Sequence, residues 1–207
     1  MKKLLRLSFA GLIFAAGFGG TVWLGLTVAE RAGLDLSLPF VTREPGGAFL
    51  LTDHTGMPFT QNDMKGQLTL VYLGYTFCPD ICPTHLVDTM QALDRLGPLG
   101  AKIRPIFISI DPERDTVAQL KGYVAHFSDT MIGLTGTPEQ VAQAAKVFGA
   151  SYRKVDAKSG DSYQMDHSAL SYLMGRDGKF LTTVPPNIGP DAMAEKIRAA
   201  LKEVGEV

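Results

Sequence analysis

Leu68-Thr69-Leu70-Val71-Tyr72-Leu73-Gly74-Tyr75 is a nearly continuous apolar run. A strand with one wet face alternates apolar and polar residues, so a run apolar at consecutive positions asks for cover on both faces. A second run of this kind follows at Ile103-Arg104-Pro105-Ile106-Phe107-Ile108-Ser109-Ile110. Between them, Pro83 to Leu96 carries Leu86, Met90 and Leu93 at helical spacing, with Pro83 suited to a first helical turn. Two strands buried on both faces and separated by a helix point to an α/β sheet.

The rest of the chain extends that pattern. The spacing predicts a helix over Thr116 to Phe127 and a short strand over Met131 to Leu134. Thr137 is placed to cap a helix from Pro138 to Phe148, with Glu139 in its first turn. Ser168 to Met174 and Lys179 to Thr183 read as a hairpin around Arg176-Asp177-Gly178, and Asp191 to Val204 as a closing amphipathic helix. Upstream, Ala48 to Leu51 and Met57 to Phe59 read as a hairpin turning at Thr55-Gly56. The expected order is β-α-β-α-β-α-β-β-α, with helices on both faces of the sheet. Residues 48–207 form one domain in this reading, after a linker at 33–47 broken by Pro39, Pro45, Gly46 and Gly47. A composition of 45% hydrophobic and 20% charged residues fits a packed core and argues against wholesale disorder.

Leu7 to Ala29 carries no charge. As a helix it would be roughly 34 Å long, enough to cross a hydrocarbon core of ~30 Å. Lys2, Lys3 and Arg6 precede it, whereas Glu30-Arg31 after it is neutral. The positive-inside rule therefore places the N-terminus in the cytoplasm and residues 30–207 across the membrane. A cleaved signal peptide is the rival reading. The run exceeds the usual apolar region of such a peptide and no clear Ala-x-Ala site closes it, so an uncleaved anchor over residues 1–32 is expected. Either way the body is exported. Residues 1–34 hold four cations against one anion, which leaves residues 35–207 acidic within a net charge of −1. That balance gives no reason to expect a nucleic-acid partner.

There are two cysteines, Cys78 and Cys82, in Cys78-Pro79-Asp80-Ile81-Cys82. They fall at the end of a buried strand and the start of a helix, where free N–H groups and the positive end of the helix dipole stabilise a thiolate. Two cysteines this close cannot brace a domain of this size, so chemistry is their more natural use. The pair alone is compatible with a metal site, a redox couple or an inert disulfide. His167 lies in Gln164-Met165-Asp166-His167-Ser168, with Asp166 placed to orient its ring. Two thiolates and an imidazole would form a soft three-donor set suited to Cu(I) and able to hold Cu(II), whereas structural zinc prefers a fourth ligand.

Asp111-Pro112-Glu113-Arg114-Asp115-Thr116 follows the second strand. The carboxyl ends of strands in open α/β sheets are where sites assemble, and Asp111 shares the cysteines' edge if the two strands are adjacent and parallel. The structural expectation for the stretch is a helix start at Asp115 and Thr116, with Arg114 in a surface ion pair. His85, one helical turn after Cys82, is either a ligand that first receives the metal or, as expected here, a solvated helix residue. His54 and His126 read as bystanders, and Met90, Met131, Met165, Met174 and Met193 as core filling.

Three separated stretches then resemble the Sco/SenC family: Gly74-Tyr75-Thr76-Phe77-Cys78-Pro79-Asp80-Ile81-Cys82-Pro83-Thr84, Ser109-Ile110-Asp111-Pro112-Glu113-Arg114-Asp115-Thr116, and Tyr163-Gln164-Met165-Asp166-His167-Ser168. The resemblance implies a thioredoxin-like α/β fold behind an N-terminal transmembrane helix. It implies one copper ion, Cu(I) or Cu(II), held by Cys78, Cys82 and His167, with Asp80, Asp111 and Asp166 close around the ligands. It also implies a bacterial cytoplasmic membrane protein with its C-terminal domain in the periplasm. The function implied is copper delivery to the dinuclear copper (CuA) centre of cytochrome c oxidase subunit II, with other copper chaperones as further partners. The alternative is a thiol-disulfide reductase or redox-signalling component using Cys78 and Cys82 as its redox-active pair. His85 departs from the family pattern, where a non-histidine polar residue is expected.

Overall fold

The computed structural model describes residues 44–156 and 163–207. The expected anchor, Leu7 to Ala29, and all but the end of the expected linker lie outside the described residues. Among those described, no helix is long and apolar enough to cross a membrane.

In chain order the elements are β1 (Leu50–Asp53), β2 (Pro58–Thr60), β3 (Leu68–Gly74), α1 (Ile81–Leu96), β4 (Ile103–Ser109), α2 (Val117–Ala125), β5 (Ile132–Thr135) and α3 (Pro138–Phe148). There follow β6 (Tyr152–Asp156), β7 (Tyr163–His167), β8 (Ser171–Met174), β9 (Phe180–Val184) and α4 (Gly189–Glu203). A seven-stranded sheet has the order β2-β1-β5-β4-β3-β8-β9, and β6 and β7 form a separate antiparallel ribbon. The expected elements are all present, with ends shifted by a few residues. The β6–β7 ribbon was not anticipated: Tyr152-Arg153-Lys154-Val155-Asp156 is short, mostly charged and without apolar–polar alternation.

The two apolar runs are β3 and β4, paired in parallel from Leu68↔Ile103 to Gly74↔Ser109. Every residue of β3 is buried, as a strand covered on both faces requires. Tyr72 and Phe107 are register partners and share a face; Tyr72 packs on His85 of α1, and Phe107 on Tyr123 of α2. Helices α1 and α2 therefore cover one face, as two right-handed crossovers stepping in the same direction must. Helix α4 joins α1 there, over Leu68 and Leu70. Helix α3 lies on the other face, where Phe148 packs on Tyr172, the partner of Val71. The caps follow the sequence. Thr116 Oγ1 accepts from the Gln119 N–H at the start of α2, and Thr137 forms a capping box with Gln140 at the start of α3, which ends at left-handed Gly149.

His85 is not solvated. It is 1% exposed and its Nε2 lies 2.7 Å from Ser171 Oγ. The buried stripe of α1 runs Cys82, His85, Leu86, Thr89, Leu93, Leu96, and this i, i+3, i+4, i+7 spacing turns His85 to the sheet with the apolar residues. Burial holds its imidazole at about 4, below the ordinary value of 6.5.

Gly74 is where β3 passes closest to the helix. A Cβ there would stand 2.9 Å from Tyr72 Cε1, 3.0 Å from Phe107 Cε2 and 3.1 Å from Cys82 Sγ. Gly74→Ala is expected to lower the unfolding free energy by about 1–3 kcal/mol through overpacking, read as a lower urea midpoint. His85 supplies a pH-dependent counterpart. Between its ordinary pKa of 6.5 and its folded value of about 4, the unfolded chain takes up a proton that the folded chain refuses. Stability is therefore fully present above that window and is lost as pH falls through it. Urea unfolding between pH 7 and 4 is expected to show a steeper loss for the parent than for His85→Gln; equal slopes would contradict a neutral buried imidazole.

Candidate metal centre

Because β3 and β4 run in parallel, their carboxyl ends share one edge of the sheet. The chain leaving β3 turns through Thr76, Phe77 and Cys78 into α1; the chain leaving β4 turns through Asp111 to Asp115 into α2. Asp115 joins the two turns. Its carboxylate accepts from the Thr76 N–H at 3.0 Å, from Thr76 Oγ1 at 2.7 Å and from Ser109 Oγ at 2.6 Å, and it is fully buried. Burial raises its pKa against the pull of those bonds. Asp115 thus ties together the turns that flank the site, and Thr116 alone caps the helix.

The cysteines are free thiols. Cys82 sits in the first turn of α1, fully buried, and Cys78 in the preceding turn is 8% exposed. Asp80 holds the capping position but makes no side-chain capping bond. The Cys78 sulfur takes that role, accepting from the Cys82 N–H at 3.4 Å. The Cys82 thiol, donating to Cys78, pulls the Cys78 pKa well below the usual thiol value; burial opposes this, and the N–H groups of Asp80 and Cys82 add to it. The same inter-thiol bond, together with burial, pushes Cys82 up. Cys78 is therefore the first thiolate, with Cys82 beside it as a proton-bearing partner.

His167 closes β7 and brings its Nε2 to 3.6 Å from Cys82 Sγ. Its Nδ1 lies 3.1 Å from the Ser168 carbonyl oxygen, which can only accept. Nδ1 therefore carries the proton, and the bare lone pair of Nε2 faces the sulfur. The Tyr75 ring meets the imidazole edge-on at 6.0 Å between centroids, and the Tyr72 hydroxyl donates to Cys82 Sγ at 3.4 Å. Sequence reasoning missed Tyr72, Tyr75 and Gly74 as walls of the site. Gly74 alone left a signal, a glycine inside an otherwise bulky apolar strand.

The three expected acidic neighbours part company. Asp166 does not orient the histidine: strand alternation turns it to solvent with Gln164, where it pairs with Arg153 at 2.7 Å, while Tyr163, Met165 and His167 face inward. Asp80 is exposed and meets Cys78 through its backbone N–H. Asp111 is buried, accepts from Tyr163 Oη at 2.7 Å and pairs with Arg114. The expected surface ion pair of Arg114 is instead largely enclosed. His54 accepts from the Gly133 N–H on β5, 79 residues on, and His126 bonds the Gly122 carbonyl within its own helix end; neither lies among the candidate ligands.

The donors suit a soft ion. With bonds of about 2.3 Å to sulfur and about 2.0 Å to nitrogen, a separation of 3.6 Å corresponds to roughly 110–115° at a shared metal. Among the described residues no group of three or more His, Cys, Asp or Glu side chains is already arranged to hold a metal ion. A depression of about 720 Å³ lies at the opposite end of the strands beside Lys102, Arg104 and Arg176, and holds none of the candidate residues.

Residues 41–202 match the SCO1/SenC family model. The human mitochondrial Protein SCO1 homolog is 43% identical over 138 residues, which are 66% of this chain and 46% of that protein; this chain thus spans about half of its length. Bradyrhizobium japonicum ScoI, solved with copper bound, is 41% identical with a TM-score of 0.67, covering 76% of this chain and 99% of that one. BsSco, solved in a study of its disulfide switch, is described as a member of the Sco family of cytochrome c oxidase assembly proteins. It is 25% identical with a TM-score of 0.58, covering 78% of this chain and 95% of that one. The thioredoxin-like α/β architecture is shared with these structures, and the chain belongs to the SCO1/SenC family.

Proposed function

We propose that this domain binds one copper ion through Cys78, Cys82 and His167 and delivers it to the dinuclear copper centre in subunit II of a cytochrome c oxidase. The observation that carries the reading is the Nε2 of His167 facing Cys82 Sγ at 3.6 Å, across 85 residues of chain. A disulfide exchanger has no need of that imidazole. Soft thiolates favour Cu(I) and the imidazole accommodates Cu(II), so the set tolerates both oxidation states of a carried ion. Copper is cargo here: a partner's thiols displace it by ligand exchange, and oxidation of Cys78 and Cys82 to a disulfide removes both soft donors and blocks loading. Residues 7–29 supply the membrane anchor in this proposal, with the domain in the periplasm of a bacterium. Tethering confines the domain to the plane of its integral partner and raises its effective concentration there.

A second reading has its own support. Cys78 is the more exposed sulfur and the one whose thiolate is stabilised, and Cys82 lies against it as a resolving thiol. That is the division of labour of a thiol-disulfide reductase, here one keeping the oxidase's copper-site cysteines reduced.

His167→Ala separates the two. Copper titration of the reduced protein should give one equivalent for the parent, with sulfur-to-copper charge transfer in the Cu(II) form. The variant should bind at least about tenfold more weakly yet reduce a partner disulfide at the parental rate. Binding indifferent to His167 would remove the third ligand and leave the reductase reading. The thiol asymmetry makes a further expectation: iodoacetamide at pH 6 should modify Cys78 well before Cys82, as mapped by peptide mass. Equal labelling would overturn the assignment of Cys78 as the first thiolate.

A further inference from the structure

His167 does not belong to the sheet that carries the cysteines. It sits on the β6–β7 ribbon, which shares no strand pairing with the main sheet among the described residues. Something else must hold the ribbon at the height where Nε2 meets Cys82. Tyr163, Met165 and His167 share the ribbon's inward face, and Tyr163 lies only about 13 Å along the strand from His167.

Tyr163 is gripped on three sides by the turn that follows β4. Its hydroxyl donates to Asp111 Oδ1 at 2.7 Å. Its carbonyl accepts from Arg114 Nη1 at 3.0 Å, and the Arg114 guanidinium lies over its ring at 3.7 Å. Arg114 Nε in turn pairs with the other oxygen of Asp111. On the partner strand, Lys154 lies 4.0 Å from the same ring and reaches Glu113 at 2.8 Å. An Asp–Arg pair three residues apart would by itself be a local turn. The bonds to a residue 49 and 52 positions further on make it a long-range tie. Its side chains are 19% and 2% exposed, against 73% and 58% for the Arg153–Asp166 pair on the ribbon's outer face. A shielded, charge-assisted grip of this kind holds geometry where an exposed pair does not.

We propose that the Asp111–Arg114 turn is a clasp on Tyr163 that positions the ribbon, and through it the His167 imidazole, against Cys82. Asp111 and Arg114 are positioning residues: they touch neither the sulfurs nor the imidazole, and they act through Tyr163. The inference rests on His167 serving as a copper ligand, but the placement of the ribbon is measurable without metal.

The test uses the full chain in detergent, with Arg114→Gln and the milder Tyr163→Phe. In the metal-free reduced protein, hydrogen exchange read by mass spectrometry should speed up in peptides covering 151–156 and 163–167. Peptides covering β3 and β4 should keep parental protection. In the copper-loaded protein, pulsed paramagnetic resonance should show weakened imidazole nitrogen coupling, and affinity should fall about tenfold for Arg114→Gln. The same substitution made in His167→Ala should cost almost nothing more, because both changes remove one contact. The Cys78–Cys82 reduction potential should stay parental. Unchanged ribbon exchange, or losses that add across the double variant, would overturn the clasp. If the parent binds no copper, the metal reading falls and the exchange experiment still decides the clasp. Global loss of protection in Arg114→Gln would pass the decision to Tyr163→Phe, where unchanged ribbon exchange would refute it.

Discussion

The parallel pairing of β3 with β4 is the constraint from which the rest of the site follows. Seven registered pairs, ending at Gly74↔Ser109, put two strand ends at one edge and force both crossovers to leave from it. The cysteine turn and the Asp111–Asp115 turn are neighbours for that reason alone, although 28 residues or more of chain separate them. Once adjacent, they are joined by a single carboxylate. Asp115 is fully buried, and the cost of desolvating it is offset by three hydrogen-bond donors from the two turns.

Much of this was legible in the sequence, because it is written in strong local signals. Doubly buried strands show as apolar runs, and β3 and β4 were found for that reason. Thr137 with Glu139 shows as a helix start, and Arg176-Asp177-Gly178 as a turn. The cysteines and His167 were selected by residue chemistry and by resemblance, and the structure brings Cys82 and His167 together. The ribbon was missed because β6 shows no apolar–polar alternation and β7 is five residues long with a single fully buried side chain, Met165. It is the element that carries His167, so the path by which the histidine reaches the cysteines could not be read from sequence.

Two of the misplaced side chains fail for one reason. His85 and Asp166 were judged by residue type and by nearness in sequence to a ligand. Their positions are set by periodicity: His85 by the helical stripe that includes Cys82 and Leu86, Asp166 by the two-residue alternation that turns its neighbour His167 inward. Polar character does not override the face on which a backbone places a residue. It decides what partner that residue must find there, Ser171 for His85 and Arg153 for Asp166.

The outward turn of Asp166 also suits the electrostatics of the centre. Two thiolates with Cu(I) carry a net charge of −1, and with Cu(II) none. Cys82 is fully buried, and the buried carboxylates of Asp111 and Asp115 stand in the neighbouring turn. A third carboxylate hydrogen-bonded to His167 would add negative charge where it is poorly screened and would penalise the second thiolate. The Ser168 carbonyl fixes the same tautomer, leaves Nε2 equally bare and brings no net charge. Asp111 is balanced at short range by Arg114, so its carboxylate meets the ribbon already paired.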